Sequence, residues 1–460
     1  MRAIILAAGS GRRMQEELPK SLLEVGGKSL LRRNLEALGA VGIREAVVVV
    51  GYEQEKIREQ IGSRCGGVQV QYVENPRYQE GAILSLWAAR NWLIQDVVIM
   101  DADVFYEIDV LARLIFFRRG NAVLIDESVA FKDEEMVLLA SNRRVWHIGK
   151  KPDPKSVESA ETVGEHVGFI KLTREGAQRL LGIMEDMIHR GQTDAEHEAA
   201  YHRLMEVYPV GFMSVRGLAW TEVDFKEDVE QAKKILPKLT PPLFFNRWLA
   251  KLWLYRIAQL GLSPNQWTAV GFLLGMLANA CFVQGGTFFL VLGGLLFQFF
   301  YVVDNWDGDV ARLTGRTSTW GGWFDLSTDG IVQTLLPLCL ALGLARQGQG
   351  NWMMVGWVAT MGVAISTLLA GWQCARGFGP AVFSDRGLPA SWEKEPQWKQ
   401  RLRINCTSEN LSLLILLVAI FDWRTILLPL MAVGTHVWWV LTLCLTWKRL
   451  VGQEELQVSA

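Results

Sequence analysis

Residues 304–329 read DNWDGDVARLTGRTSTWGGWFDLSTD and lie between long apolar stretches. Four of the aspartates in this segment have a regular spacing: Asp304, Asp307, Asp325 and Asp329. On a helix, Asp304 and Asp307 lie on one face at a spacing of three residues, and Asp325 and Asp329 pair at a spacing of four. Two facing helices would direct all four carboxylates to one point. Such a cluster requires cations, so the spacing predicts a site for two divalent metal ions.

The sequence on either side of this segment divides into two unlike halves. Residues 1 to about 240 carry charges throughout, whereas residues 266–446 consist mainly of long apolar stretches. A net charge of -1 gives no reason to expect nucleic-acid binding. The 6 cysteines are scattered without metal-ligand spacing, which indicates free thiols in a reducing compartment. We therefore predict a soluble half followed by a membrane half.

The soluble half alternates short apolar runs with helical stretches. The runs RAIILAA, EAVVVVG, VQVQYV and DVVIMD are rich in valine and isoleucine. This alternation predicts a Rossmann-like α/β fold with a parallel sheet wrapped by helices. Ligands of such sheets bind at the carboxyl ends of the strands.

A glycine-rich turn follows the first of these runs, in the segment LAAGSGRRM. Its glycines allow backbone N–H groups to approach phosphates, and its arginines and the following Pro19-Lys20 pair add positive charge. The predicted nucleotide-binding residues are Leu6, Ala7, Ala8, Gly9, Ser10, Gly11, Arg12 and Arg13.

Two acidic segments follow predicted strands further along the chain. Asp101 and Asp103 come after DVVIM, and Glu222 and Asp224 lie in WTEVDF. Carboxylates at strand ends suit Mg²⁺, which prefers oxygen ligands and bridges phosphate oxygens.

The glycine turn and the Pro-Lys pair resemble the signature of nucleotidyltransferases, which join an NTP to a phosphorylated substrate and release pyrophosphate. The resemblance covers residues 1 to about 235. It implies that Lys20 neutralises charge on the α-phosphate in the transition state. It also implies that Asp101 or Asp103 holds Mg²⁺ or Mn²⁺ together with Asp224.

Several segments resemble the phosphocholine cytidylyltransferase-type branch, namely EGAILSLWAAR, MDADV, GEHVGFIKLT and WTEVDFKED. That branch uses CTP and activates small phosphorylated or phosphonylated head groups. The side chains predicted at the head group are Trp87, Glu165, Trp220, Glu222 and Asp224. The two tryptophans would form a cage for a cationic amine, or they would pack in the core.

The apolar half is predicted to contain six membrane spans, at 266–283, 286–304, 327–345, 351–372, 409–421 and 425–446. The loop 373–408 and the end of the last span, at Lys448 and Arg449, are basic, whereas the opposite turns carry only Arg346 and Arg424. The positive-inside rule therefore predicts that both termini and both sites are cytoplasmic, at the inner or plasma membrane of a prokaryotic cell.

The segment quoted first resembles, position for position, the motif DxxDGxxARx8GxxxDxxxD of the CDP-alcohol phosphotransferase family. SPNQWT, with Asn265 and Thr268, also resembles the segment that precedes the first span in this family. The resemblance implies three metal-ligating aspartates: Asp304, Asp307 and Asp325. It assigns the CDP site to Gly308, Ala311, Arg312 and Gly321. Asp329 would deprotonate the acceptor hydroxyl while also reaching a metal, and the extra acid Asp309 would face away.

We accordingly predict a nucleotidyltransferase domain at 1–236, a linker with an interfacial amphipathic helix at 237–262, a six-span transferase domain at 263–450, and a tail at 451–460. The first domain would make a CDP-alcohol from CTP. The second would transfer the head-group phosphate to a lipid alcohol such as diacylglycerol and release CMP.

The head group has two alternatives. The soluble half favours an amine, such as phosphocholine, phosphoethanolamine or 2-aminoethylphosphonate. The same domain order also occurs in fused inositol-1-phosphate cytidylyltransferase and di-inositol-phosphate synthase enzymes, with a polyol acceptor. A hypothesis of another class is an inactive N-terminal binding module. By resemblance we also expect a homodimer through the membrane domain.

Overall fold

The computed structural model describes residues 1–9, 18–118, 120–128, 135–236, 245–375 and 408–458. The described residues form two compact units. The N-terminal unit contains the described residues up to 236, with 255–260 and 312–315, and the C-terminal unit contains the others. The predicted linker at 237–244 and most of the basic loop lie outside the described residues, as do Ser10 to Arg13 of the glycine turn.

The N-terminal unit alternates strands and helices. Its strands are β1 (Arg2–Ala7), β2 (Glu24–Val25), β3 (Lys28–Ser29), β4 (Glu45–Val50), β5 (Arg64–Cys65), β6 (Val68–Glu74), β7 (Val97–Asp101), β8 (Val104–Tyr106), β9 (Ala122–Asp126), β10 (Val137–Ser141), β11 (Arg144–Gly149), β12 (Thr162–Leu172), β13 (Gly211–Ser214) and β14 (Trp220–Glu222). Its helices are α1 (Leu30–Ala40), α2 (Gln54–Ile61), α3 (Ala82–Ala88), α4 (Ile108–Phe116), α5 (Pro154–Ser159), α6 (Arg174–His189), α7 (Glu198–Val207) and α8 (Lys226–Ile235).

The four predicted apolar runs form adjacent parallel strands. β1 lies between β4 and β7, and β6 continues the sheet beyond β4. The path of the large sheet is β11-β10-β12-β7-β1-β4-β6-β5, and β9 pairs with β12 and β13. β12 is antiparallel to β7, so the α/β fold class is confirmed, but the sheet is mixed and not wholly parallel.

Burial explains why these runs form the centre of the sheet. β4 is buried from Ala46 to Val50, as expected for a strand covered by helices on both faces. In the parallel register Leu6 of β1 pairs with Asp101 of β7. The segments that follow β1 and β7 therefore begin side by side at the carboxyl ends of these strands.

The C-terminal unit is helical. Its helices are α9 (Phe245–Gln259), α10 (Pro264–Gln284), α11 (Thr287–Thr314), α12 (Thr319–Arg346), α13 (Trp352–Ala375), α14 (Ser408–Phe421) and α15 (Arg424–Val458). α10 begins with a capping box between Ser263 and Gln266, and Pro264 occupies its first turn, where proline removes no helical hydrogen bond. Asn279 of α10 donates a hydrogen bond to the Val332 carbonyl of α12 at 3.0 Å, which joins these two helices.

Five helices of the described chain, α10 to α13 and α15, are long and apolar enough to cross a membrane. The fifth predicted span corresponds to α14, whose apolar part, Ser412–Phe421, is shorter than a span requires. The helical second half is thus confirmed, whereas the number six stays a prediction.

α9 corresponds to the predicted interfacial helix. It exposes Trp248, Leu252 and Trp253, while Ala250 and Leu254 are buried. The Trp306 indole of α11 donates to the Ala250 carbonyl at 2.9 Å, which fixes this helix to the C-terminal unit. Large apolar side chains on an exposed helix face are typical of a helix at a membrane interface.

Candidate active sites

The first site forms where two chain segments distant in sequence meet beside β7. The short antiparallel pair β8–β14 aligns Val104 with Glu222. The backbone N–H of Val223 also donates to the carbonyl of Asp103 at 3.1 Å. This pairing brings Asp224 to Asp103.

Three carboxylates and one ammonium group occupy this point. Ligand oxygens of Asp103, Glu222 and Asp224 lie within 4.8 Å of one another. Lys20 Nζ donates to Asp103 Oδ2 at 2.6 Å and also bonds Asp224 Oδ1. Lys20, at the start of a short 3-10 helix, is therefore placed among the predicted metal ligands.

The charges of this cluster perturb one another. Burial alone would lower the pKa of Lys20, but the adjacent Asp103 and Asp224 carboxylates raise it above its ordinary value. Glu222 is exposed toward the cavity, yet the surrounding protein desolvates its carboxyl, and the charges of Asp103 and Asp224 add to this effect. Together they raise the pKa of Glu222 to about 8.

A divalent metal ion fits these residues. Three carboxylates are the oxygen donors that Mg²⁺ prefers. Within the described residues, the buried Asp103 Oδ1 has no hydrogen-bond partner, which leaves it available as a ligand. Of the predicted pair, Asp103 joins Asp224 in this cluster, and Asp101 belongs to a different one.

The cluster borders a cavity of 1010 Å³ inside the N-terminal unit. Of the residues predicted from sequence, the cavity is lined by Leu6, Ala8, Gly9, Asp101, Asp103, Glu165, Trp220, Glu222 and Asp224. Ala7 is buried in β1 and is not a lining residue.

The structure does not bring together the two tryptophans of the predicted head-group site. Trp87 packs against the hydrophobic core and does not line the cavity, and the Arg90 guanidinium stacks 4.9 Å from its ring centre. Trp220 does line the cavity, with its indole N–H donating to Asp126 Oδ2 at 2.7 Å. One tryptophan does not enclose a cation, so core packing is the correct interpretation of Trp87.

A second polar cluster in the same cavity was not predicted. His197 precedes α7, and its Nε2 lies 3.5 Å from Asp101 Oδ1 and 3.3 Å from Glu198 Oε1. The sequence TDAEHEAAY around His197 has no recognisable ligand spacing. Only the fold shows that it faces Asp101.

The third cluster lies in the C-terminal unit, between α11 and α12. Ligand oxygens of Asp304, Asp307 and Asp325 lie within 4.8 Å of one another. The Thr268 hydroxyl of α10 donates to Asp307 Oδ2 at 2.6 Å. The Asp329 carboxyl is hydrogen-bonded to that of Asp304. The structure therefore brings together all four motif aspartates and one residue of SPNQWT.

The remaining motif residues lie on the same two helices, α11 and α12. Gly308, Ala311 and Arg312 follow Asp307 on α11 and are half-buried. At Gly321, an added Cβ would lie 3.0 Å from Ser318 Oγ and 3.1 Å from Asn265 Oδ1. Asp309 is buried and is not a member of the carboxylate cluster. Three aspartates fit a divalent metal ion by the chemistry of their oxygen donors.

Comparison with known proteins agrees with this division. Residues 3–149 match the model of the MobA-like NTP transferase domain. The chain is 27% identical to the "Bifunctional IPC transferase and DIPP synthase" of Aquifex aeolicus, over 97% of this chain and 98% of that protein. The chain is an enzyme that fuses a nucleotidyltransferase to a helical membrane domain. This prediction is confirmed.

Two further similarities each cover a little more than half of this chain. The chain is 29% identical to the "CMP-5'-(3-aminopropyl)phosphonate synthase" of Streptomyces rubellomurinus, over 58% of this chain and 44% of that protein. The structure of the inositol-1-phosphate CTP transferase from T. maritima aligns with a TM-score of 0.42 and 19% identity, over 52% of this chain and 97% of that one.

Proposed function

We propose that this chain is a bifunctional enzyme of inositol phosphate metabolism. The N-terminal unit would join CTP to inositol-1-phosphate, and the C-terminal unit would transfer the head-group phosphate from the CDP-alcohol to a second hydroxyl compound. The observation that carries the proposal is the similarity to the Aquifex aeolicus bifunctional protein over 97% of the chain, which includes both halves.

In the first reaction, a phosphate oxygen of inositol-1-phosphate attacks the α-phosphorus of CTP, and the bond to pyrophosphate breaks. Lys20 offsets charge that develops on the α-phosphate. Asp103, Asp224 and Glu222 would hold Mg²⁺ or Mn²⁺, which would supply positive charge against the phosphate oxygens. Leu6, Ala8 and Gly9 line the cavity at the end of β1 and would face the nucleotide.

In the second reaction, an acceptor hydroxyl attacks the phosphorus attached to the head group, and the bond to CMP breaks. Asp329 is placed to take the hydroxyl proton. Asp304, Asp307 and Asp325 would hold divalent ions, which would offset the phosphate charge. Gly308, Ala311, Arg312 and Gly321 would contact the CDP moiety.

For the head group, the observations favour the inositol alternative over the amine preferred from the sequence. Trp87 is absent from the cavity wall, which removes half of the proposed cation cage. An aminoalkyl phosphonate stays the second candidate, because the Streptomyces rubellomurinus protein is 29% identical over 58% of this chain. For the acceptor we propose a polyol phosphate, with a lipid alcohol such as diacylglycerol as the alternative.

We further propose an integral membrane protein with six spans, in which α14 completes the set and both termini and both sites face the cytoplasm. The five long apolar helices support the membrane location. The basic residues of the 373–408 loop support the orientation. A homodimer through the membrane helices is part of the same proposal.

The test is pyrophosphate release by the purified full-length chain with CTP and Mg²⁺. Inositol-1-phosphate, phosphocholine, phosphoethanolamine and 2-aminoethylphosphonate are offered in turn. We expect turnover with inositol-1-phosphate, followed by CMP release when an inositol phosphate acceptor is added. Turnover only with an amine-bearing head group would contradict the inositol assignment. CMP release only with diacylglycerol would contradict the polyol acceptor.

A further inference from the structure

A group of buried polar atoms in the N-terminal cavity has no role in the chemistry described so far. His166, His197 and Glu198 line the cavity and are only 6%, 7% and 8% exposed. Among the described residues, no hydrogen-bond partner reaches His166 Nε2, His197 Nδ1 or Glu198 Oε2. Leaving one buried polar atom unsatisfied is costly, so three in one cavity wall indicate a ligand that bonds them.

The fold holds these side chains in position. His166 lies on β12, where its side chain bonds the backbone of Phe169. His197 and Glu198 lie at the start of α7, and the Tyr201 ring packs edge-on against the His197 ring at a centroid distance of 5.3 Å. Side chains held in place in this way select a ligand whose polar groups match their positions, because they do not rearrange to bind a ligand of a different shape.

The His166 ring fits a ligand that carries hydroxyl groups. Burial, and then the neighbouring His197, lower the pKa of His166 to about 3, so its ring is neutral at physiological pH. A neutral imidazole presents one donor and one acceptor, and a hydroxyl group can satisfy either. A methylated ammonium group, by contrast, has no N–H to donate and is usually bound by aromatic faces.

We propose that His166, His197 and Glu198 form the head-group subsite of this cavity and bind the ring hydroxyls of a polyol phosphate. Asp101 extends the subsite through its contact with His197 Nε2. This inference rests on the proposed function, because it names the residues by which the nucleotidyltransferase would recognise inositol phosphate. In this proposal the head group and the phosphates bind to different parts of the cavity. The subsite binds the head group, and the Asp103–Glu222–Asp224 cluster faces the phosphates.

Gly168 supports the close approach of β12 to this subsite. It has φ +82, and an added Cβ would lie 2.7 Å from Asp101 Oδ2. A side chain at this position would push the Asp101 carboxylate away from His197. The conformation and the contact both require glycine here.

The experiment compares His197→Phe, His197→Asn and Glu198→Gln in the full-length protein by pyrophosphate release. His197→Phe keeps a ring but loses both nitrogens, and we expect the KM for inositol-1-phosphate to rise about tenfold or more. The KM for CTP should change by less than about twofold, which also shows that the cavity is folded. The matched control is Glu206→Gln, an exposed position of the same helix α7.

His197→Asn separates a binding role from a structural one. The asparagine amide reaches the position of Nδ1 but not that of Nε2, so it should recover part of the affinity that His197→Phe loses. An inositol phosphate lacking one ring hydroxyl should bind the wild type more weakly. It should lose no further affinity in the variant whose partner atom has been removed.

Three outcomes would overturn the inference. One is turnover of inositol-1-phosphate by the wild type with an unchanged KM in His197→Phe and Glu198→Gln. A second is a divalent ion, detected by Mn²⁺ binding without CTP, that is lost in His197→Phe, because Asp101, His197 and Glu198 would then be metal ligands. In these two cases the proposed function survives. The third outcome is turnover by the wild type of amine-bearing head groups alone, which would contradict both the inferred subsite and the proposed function.

Discussion

The Asp103–Glu222–Asp224 cluster and the membrane cluster of Asp304, Asp307 and Asp325 both supply carboxylate oxygens, but their neighbours differ. Asp103, Glu222 and Asp224 in the N-terminal unit enclose the Lys20 ammonium group. In the membrane cluster, Asp307 accepts a hydrogen bond from the neutral Thr268 hydroxyl. A lysine can move from the carboxylates to a phosphate, so the first site carries its own mobile counter-charge. Under the proposed function, divalent ions would offset the phosphate charge at the second site, and Asp329 would accept the proton of the acceptor hydroxyl.

The largest expected effect tests whether the membrane cluster acts on its own. Asp329→Asn removes the proposed base, and CMP release from supplied CDP-inositol should fall about 10²- to 10⁴-fold. Pyrophosphate release from CTP by the same protein should be unchanged. Loss of both activities in a folded variant would show that the two clusters do not work independently.

The next effect concerns the lysine that distinguishes the N-terminal cluster. Lys20→Ala should lower pyrophosphate release by about 10²- to 10³-fold, because charge on the α-phosphate is no longer offset. CMP release from supplied CDP-inositol should be unaffected. Lys28→Ala is the control, since Lys28 bonds only the surface residue Glu36 among its described contacts. An unaltered rate in Lys20→Ala would favour an inactive N-terminal binding module.

A smaller effect is expected at the edge of the membrane cluster. The methyl group of Gly321→Ala would press against Asn265 and Ser318, and we expect about a tenfold loss of kcat/KM for the CDP-alcohol. The adjacent Gly322→Ala is a close control, because a Cβ there meets nothing within 4 Å. Equal rates in the two variants would mean that this surface does not contact the nucleotide.

The smallest expected effect is on stability, and it concerns the buried His166 of the N-terminal unit. His166 has a pKa of about 3 in the folded protein and 6.5 when exposed. Between these values the unfolded chain binds a proton that the folded chain does not, so the free energy of unfolding falls as pH falls from 6.5 toward 3. At about pH 5.5 the loss amounts to about 1 kcal/mol.

His166→Asn removes this titration. Thermal unfolding of the purified protein at about pH 7.5 and about pH 5.5 measures it, and the midpoint of the wild type should fall further than that of the variant. Midpoints that fall in parallel would show that His166 is not held neutral by the fold.

The membrane cluster could be predicted because its geometry is local. Helical spacing alone places Asp304 beside Asp307, and the structure adds Asp325 on the facing helix. The N-terminal cluster was predicted only through a resemblance, since the pairing of β8 with β14 decides that Asp103 and not Asp101 meets Asp224. The number of spans was less certain from sequence, because α14 is apolar but short.

The remaining differences arise from long-range packing. His197, at the start of α7, meets Asp101 at the carboxyl end of β7, and no short motif encodes that contact. Trp87 lies outside the cavity lining for a related reason. From the sequence alone, Trp87 could lie on either face of α3, and its packing against the core decides between them. The positions of His197 and Trp87 both depend on strand order and helix packing. A sequence pattern does not specify either.

The length of α11 has a consequence for the kind of acceptor that can reach the second site. At 1.5 Å per residue, Asp304 lies about 26 Å along the helix from Thr287, close to the ~30 Å thickness of a bilayer's hydrocarbon core. A helix that enters the hydrocarbon at Thr287 thus brings its aspartates to the depth of the lipid phosphates and glycerol. At that depth a polyol phosphate arrives directly from water, and a diacylglycerol would present its hydroxyl without leaving the leaflet.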